Sequence, residues 1–281
     1  MKYPIALLAA ALSAPLLASS PEATVELLAE NTSLHPGQNW IGLSIQPASG
    51  WHVYWQNPGD VGQPTQIELV TPPGVSAGDM RWPVPRVRTE AGMTSFVYEQ
   101  PVLHLIPVTV DARAPRIVDF TASVSYVVCH DTCIPQHADL KLSLPVAKTA
   151  KVDRANTDDF AKARETTPID KADWIASYDM TGDLLTVEIC GDGAGKLGSP
   201  AVFPLADELV NYAVAPRYES NDENHLRLLL PLSKTHAAVH GPLGFVLAGP
   251  SAVAITASAQ PGLTRTIAMT RQVRGACLAA G

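Results

Sequence analysis

The chain has 281 residues and a formal net charge of −7, with 20 Lys and Arg against 27 Asp and Glu. That balance argues against nucleic acid or an anionic membrane surface as partner. With 24 prolines, 19 glycines and 46% hydrophobic residues there is material for two ordinary domains, without the bias of a disordered or collagen-like chain.

The first 20 residues, "MKYPIALLAAALSAPLLASS", have Lys2 near the start, an apolar run from Ile5 to Leu17, then small residues. This is the layout of a secretory signal peptide, with cleavage expected near residues 18–23, and the run is short for a membrane span. The mature protein is therefore expected in an exported compartment, most simply a bacterial periplasm, where disulfides persist. The later segment "GPLGFVLAGPSAVAITASA" is interrupted by Gly and Pro and suits two strands better than a span.

Residues 24–147 carry short apolar runs separated by turn signals, the pattern of an antiparallel sandwich. In order these are "TVELLAE", "NWIGLSIQP", "GWHVYWQNPGD", "TQIELV", "VLHLIPVTVDA", "DFTASVSYVVC" and "HADLKLSLPV". The last alternates Ala138, Leu140, Leu142 and Leu144 with Asp139, Lys141 and Ser143, which predicts a half-buried strand. Residues 148–171 are charged and predict a connector with one short helix over "DDFAKAR", capped by Asn156 or Thr157 and ended by "TTP". Residues 172–273 contain a second strand-rich series, from "WIASYDM" to "RTIAMTRQV", with no catalytic motif; residues 274–281 form a tail. The expectation is an all-β protein of two tandem immunoglobulin-like sandwiches, cored separately and joined by a charged linker.

The stretch "YVVCHDTCIPQHADLKLSL" carries the chemistry. Cys129 and Cys133 fall at the top of a predicted hairpin, 121–128 paired with 137–145, close enough to bridge. The loop so closed is tiny, and on the chain-entropy model its bridge stabilises little. A short exposed bridge also tends to exchange. Three readings stand: an inert structural disulfide on a β-sandwich scaffold, a redox pair, or a metal site. In the last, Cys129, Cys133, His130 and His137 would supply two thiolates and two imidazoles for zinc or, when reduced, Cu(I).

Together "GWHVYWQNPGDVGQPTQIEL", "RWPVP", "SFVYEQPVLHLIPV" and "VSYVVCHDTCIPQHADLKLSLP" resemble, in this order, the periplasmic N-terminal region of DsbD-type and ScsB-type thiol:disulfide interchange proteins. The resemblance covers residues 24–147, and the connector and second sandwich are similar to the ScsB branch. It implies an immunoglobulin-like domain whose dithiol is reduced by a membrane-embedded electron-conducting reductase and then reduces a periplasmic thioredoxin-fold client. Cytochrome c biogenesis is a process expected for such a carrier, and copper tolerance is the process expected if Cys129, Cys133 and the nearby histidines instead form a metal-binding module. Cys129 and Cys133 match the family's reactive pair, with no cofactor beyond the redox-active disulfide; His130 and His137 match no family role. Such proteins continue into a multi-span domain and a thioredoxin-like domain, neither of which stands in these 281 residues. The donor is therefore expected either in a longer form of the chain or in a separate protein.

Further candidates lie nearby. Trp51, His52, Tyr54 and Trp55, ahead of Asn57-Pro58-Gly59, would form either an aromatic wall beside the dithiol or a packed core with a turn. By analogy with the family's cap loop, residues 89–100 would lie over the dithiol with Phe96 and Tyr98 covering the sulfurs, or else form a plain hairpin. Cys190 and Cys277 are candidates for a structural disulfide tying down the tail.

Overall fold

A computed structural model of the chain describes residues 18–19, 22–236 and 238–259. The expected signal segment, the strand expected at 265–273, the tail and Cys277 lie outside the described residues. Among the described residues no helix is long and apolar enough to cross a membrane.

The N-terminal unit contains β1 (Ala23–Ala29), β2 (Gly37–Pro47), β3 (His52–Gly59), β4 (Gln66–Val70), β5 (Val75–Ala77), β6 (Arg86–Glu90), β7 (Met93–Tyr98), β8 (Val102–Val110), β9 (Ile117–Cys129) and β10 (Cys133–Pro145). One antiparallel sheet has the order β1-β2-β8-β5; the other runs β10-β9-β3-β7-β6, with β4 also paired to β9. The two pack face to face around Val25, Leu27, Ile41, Leu43, Phe120 and Leu140. Alternation builds this core: on β10 Ala138, Leu140, Leu142 and Leu144 are buried while Asp139 and Lys141 face out. The hairpin is longer than the sequence suggests, because both strands run up to the cysteines. Pro135 sits inside β10 rather than in the turn, tolerated because β10 is the edge strand.

Helix α1 (Thr157–Thr166) starts after Asn156 and stops before Pro168. Asn156 is not a side-chain cap; its amide donates instead to the carbonyl of Ala29 at 2.9 Å. Phe160 and Ala163 are buried with Leu103 and Leu105 of β8, and Arg164 pairs with Glu30 at 2.6 Å. The expected linker is therefore part of the first domain's wall rather than a free spacer: its two buried residues, Phe160 and Ala163, three apart, share the helix face turned to β8.

The second unit contains β11 (Ile175–Thr181), β12 (Leu184–Cys190), β13 (Ala201–Pro204), β14 (Arg217–Asp222), β15 (His225–Pro231), β16 (Leu243–Ala248) and β17 (Ala252–Ala259), in the order β13-β16-β17-β11-β12-β15-β14. Leu185, Val187 and Ile189 on one limb meet Phe245, Leu247 and Ile255 on the other, the inner faces of a second sandwich.

The expectation of separately cored units needs correction. Phe203 and Val246 of the second sandwich belong to the first sandwich's core. Trp55 and Phe96 meet Phe203 edge-on, with ring centroids 5.8 and 5.1 Å away, and Phe96 meets Tyr212 at 5.0 Å. Asn57 is fully buried, and its amide donates to the carbonyls of Pro204 (2.8 Å) and Ala206 (3.1 Å) and to the Tyr212 hydroxyl (3.0 Å). Asn57-Pro58-Gly59 is thus the end of a strand that fastens the two sandwiches, not a turn.

Candidate functional site

Along β9 the inward positions are Val118, Phe120, Ala122, Val124, Tyr126 and Val128. Cys129 has the opposite parity, so its sulfur lies on the outer face of the sheet. There Tyr54, Val97, Val127 and Cys129 form a small buried cluster of their own. Both faces are covered at this end of β9, and the outer cover makes the site.

Cys129 and Cys133 are direct cross-strand partners flanking the loop His130-Asp131-Thr132, with Cα atoms 4.2 Å apart and the sulfurs bonded. Their exposure differs sharply: Cys129 is 2% exposed, whereas Cys133, on the edge strand, is open to solvent. On its other side Cys129 pairs with His52 of β3. One row of three side chains therefore crosses three strands, His52, Cys129, Cys133, from buried to exposed. Tyr54, two residues beyond His52 and so on the same face, places its hydroxyl 3.5 Å from Cys133 Sγ.

Above this row lies the β6–β7 hairpin, closed by a two-residue turn in which Ala91 (φ 51°) and Gly92 (φ 80°) are both left-handed. That geometry matches the twist of the flanking strands. The hairpin and the row enclose a cavity of about 310 Å³ whose lining includes His52, Tyr54, Arg88, Met93 and both cysteines. Arg88 is held by Glu90 at 3.2 Å and Glu99 at 2.9 Å. Burial, then the Arg88 charge, holds His52 below the usual imidazole range, and burial pushes the Tyr54 phenol up. At neutral pH Tyr54 therefore keeps its proton and donates it toward sulfur.

The cap hairpin exists, but the residues expected to shield the sulfurs are not the ones that do. Phe96 and Tyr98 share the parity that faces the sandwich core. Phe96 packs on Trp55 and Phe203, and Tyr98 donates its hydroxyl to the Pro83 carbonyl at 2.6 Å. Met93, Ser95 and Val97, of the opposite parity, face the dithiol. Shifting by one residue in a strand exchanges the faces, and nothing in "MTSFVY" shows which face meets the core.

The aromatic cluster divides the same way. Trp55 goes to the core, Tyr54 to the sulfurs, and Trp51 tilts against the His130 ring at 5.8 Å. The four residues considered for metal are not brought together. His137 lies four positions along β10 from Cys133, ~13 Å at the usual strand rise. It approaches Asp139 at 3.3 Å and Ser125 at 3.5 Å. His130 borders the cavity but pairs with Asp131 at 2.9 Å, its side chain half exposed. Cys190 is buried at the end of β12 and is not a free thiol. Its suggested bond to Cys277 lies outside the described residues. The sequence places His52 only in a general aromatic wall, and its strand parity with Tyr54 is the available signal for more; Arg88 carries none.

Against known families, residues 24–145 match the family described as "Thiol:disulfide interchange protein DsbD, N-terminal". The first sandwich is thus similar to a DsbD-type N-terminal domain. The crystal structure of the N-terminal periplasmic domain of ScsB from Proteus mirabilis is similar in fold to the chain, with a TM-score of 0.61 at 21% identity over 88% of this chain and 98% of that one. A conserved domain protein from Bacillus anthracis aligns over 83% of this chain and 75% of that one at 10% identity, with a TM-score of 0.22, too low for any argument. No curated protein matches the chain. The Cys129–Cys133 disulfide lies within the residues that match this family, and the ScsB match extends the fold likeness through the second sandwich.

Proposed function

We propose that the protein is a periplasmic electron carrier that takes a pair of electrons from a membrane-embedded reductase and delivers them to thioredoxin-fold clients. The observation that carries this reading is the unequal exposure of the two bonded sulfurs. An incoming thiolate reaches Cys133 Sγ from solvent and forms a mixed disulfide with it, while Cys129 leaves as the buried thiolate. A second thiolate of the donor then resolves the mixed disulfide and leaves both cysteines reduced. Toward a client the order reverses. The Cys133 thiolate attacks the client disulfide, and Cys129 attacks Cys133 Sγ to expel the reduced client. The β6–β7 hairpin leaves a thioredoxin-fold protein's exposed sulfur a path along the edge strand, but keeps bulk water from Cys129.

A redox titration of the Cys129–Cys133 couple tests this reading. A carrier's bridge equilibrates with thioredoxin-like partners, whereas a bridge with a potential below about −300 mV, resistant to thioredoxin-like reductants, would be an inert staple.

A further inference from the structure

We infer that His52 is the general base for Cys129, taking that thiol's proton when Cys129 resolves the mixed disulfide. This deepens the exchange reading proposed above and rests on it.

Three observations converge on His52. It is the direct cross-strand neighbour of Cys129, opposite the side that Cys133 occupies. Directly paired residues carry their Cβ atoms about 4.5–5.5 Å apart on one face of a sheet, within reach of an imidazole. Both side chains line the same cavity. His52 is 4% exposed, and its Nδ1 is buried with no hydrogen-bond partner. Buried polar atoms are nearly always satisfied, and an orphan on a residue that shares a cavity with the disulfide calls for an explanation.

Cys129 needs such a partner. Cys129 sits in an apolar cluster with Tyr54, Val97 and Val127, and apolar burial disfavours the thiolate that must attack. A neutral imidazole held below its usual range is in the right form to accept that proton. The charged and titratable groups around His52 are Tyr54 on its own strand, its ring centroid 5.2 Å away, Arg88 and Glu90 from β6, Glu99 after β7, and His130 and Asp131 from the hairpin loop. Arg88 favours both the neutral imidazole and the thiolate. His130 is half exposed and already paired with Asp131, which suits it less to the buried sulfur.

The step balances. In the mixed disulfide of Cys133 with a client, the Cys129 thiol gives its proton to the imidazole and its sulfur attacks Cys133 Sγ. The bond between Cys133 and the client breaks, and the client leaves as a thiolate that takes a proton from water. The carrier's two thiols end as one disulfide and the client's disulfide ends as two thiols. The imidazolium then loses its proton to solvent.

The test uses the full chain carrying Cys190→Ala and Cys277→Ala, reduced, and mixed with a chromogenic aryl disulfide. Attack by Cys133 releases one coloured thiolate and resolution by Cys129 releases a second. Near neutral pH, His52→Gln should slow the second release at least ~10-fold, the low side of general acid–base contributions, and leave the first within twofold. His130→Gln should slow neither. In the unsubstituted-His52 protein the second rate should level off above an inflection below the ordinary imidazole value near 6.5. A second release within twofold in H52Q, or two releases slowed equally, overturns the inference. Should H52Q fail to fold, the profile decides alone: a log-linear rise from pH 5 to 8 without inflection overturns it. The aryl disulfide probes only the dithiol, so a protein that passes here yet ignores every thioredoxin-fold client refutes the carrier reading and not the role of His52.

Discussion

The side-chain amide of Asn57 donates to the backbone carbonyl of Pro204 at 2.8 Å, across the boundary between the two sandwiches. Asn57 lies on the strand that also carries His52 and Tyr54, so the fastening between domains and the reactive site share β3. Replacing Asn57 with Ala leaves buried acceptors on Pro204, Ala206 and Tyr212 unsatisfied and opens a small void. The expected loss is about 2–4 kcal/mol of unfolding free energy by urea titration. Deleting residues 172–281 bares Trp55 and Phe96 and should lower the urea midpoint of the remaining domain and increase its binding of an apolar dye. An unchanged midpoint would restore the picture of separately cored units.

Tyr54 is held against Cys133 by space as well as by its strand. Gly62 has φ 109°, and a Cβ there would run into the Tyr54 ring. Tyr54→Phe removes one hydroxyl donor to sulfur; a hydrogen bond of about 0.5–1 kcal/mol corresponds to a twofold to fivefold slower attack by Cys133 on a small disulfide. Gly62→Ala should reproduce that slowing and also cost about 1–2 kcal/mol in stability for the left-handed backbone. Alkylation rates of Cys133 in the two variants, compared with the parent, check both effects.

His104 is fully buried between Trp82 and Tyr98, with ring centroids 4.7 and 5.4 Å away, and burial lowers its pKa to about 4. In the unfolded chain it titrates near 6.5. Between these values the unfolded state binds the proton and the folded state does not. Stability is therefore full above pH 6.5 and falls as pH drops toward 4, by up to about 3 kcal/mol. His104→Phe should remove that part of the acid sensitivity. Urea midpoints at several pH values measure it, and an unchanged slope in the variant would contradict the assignment.

Much of the first sandwich was legible because period-two alternation is strong on β9 and β10, where Phe120, Val124, Leu140 and Leu142 mark one face unambiguously. That Cys129 and Cys133 could bridge was legible from their place at the top of a hairpin; spacing left the role of the bridge open. The cap was legible as a segment but not as a set of contacts. "MTSFVY" has residues of similar bulk on both parities, and the choice was decided by Phe203 and Tyr212, more than 100 residues away in the chain. The same distant partners explain why Asn57-Pro58-Gly59 resembles a turn locally yet ends a strand. Arg88 was invisible because its role depends on Glu90 and Glu99 closing around it.

The account stands most directly on which sulfur meets the partner. C129A and C133A, each reduced, would be mixed with an oxidised periplasmic thioredoxin-fold protein, quenched with an alkylating agent, and separated without reductant. The account predicts that C129A accumulates a covalent mixed disulfide through Cys133 and that C133A accumulates none. Capture through Cys129 alone, or by neither variant, would contradict it.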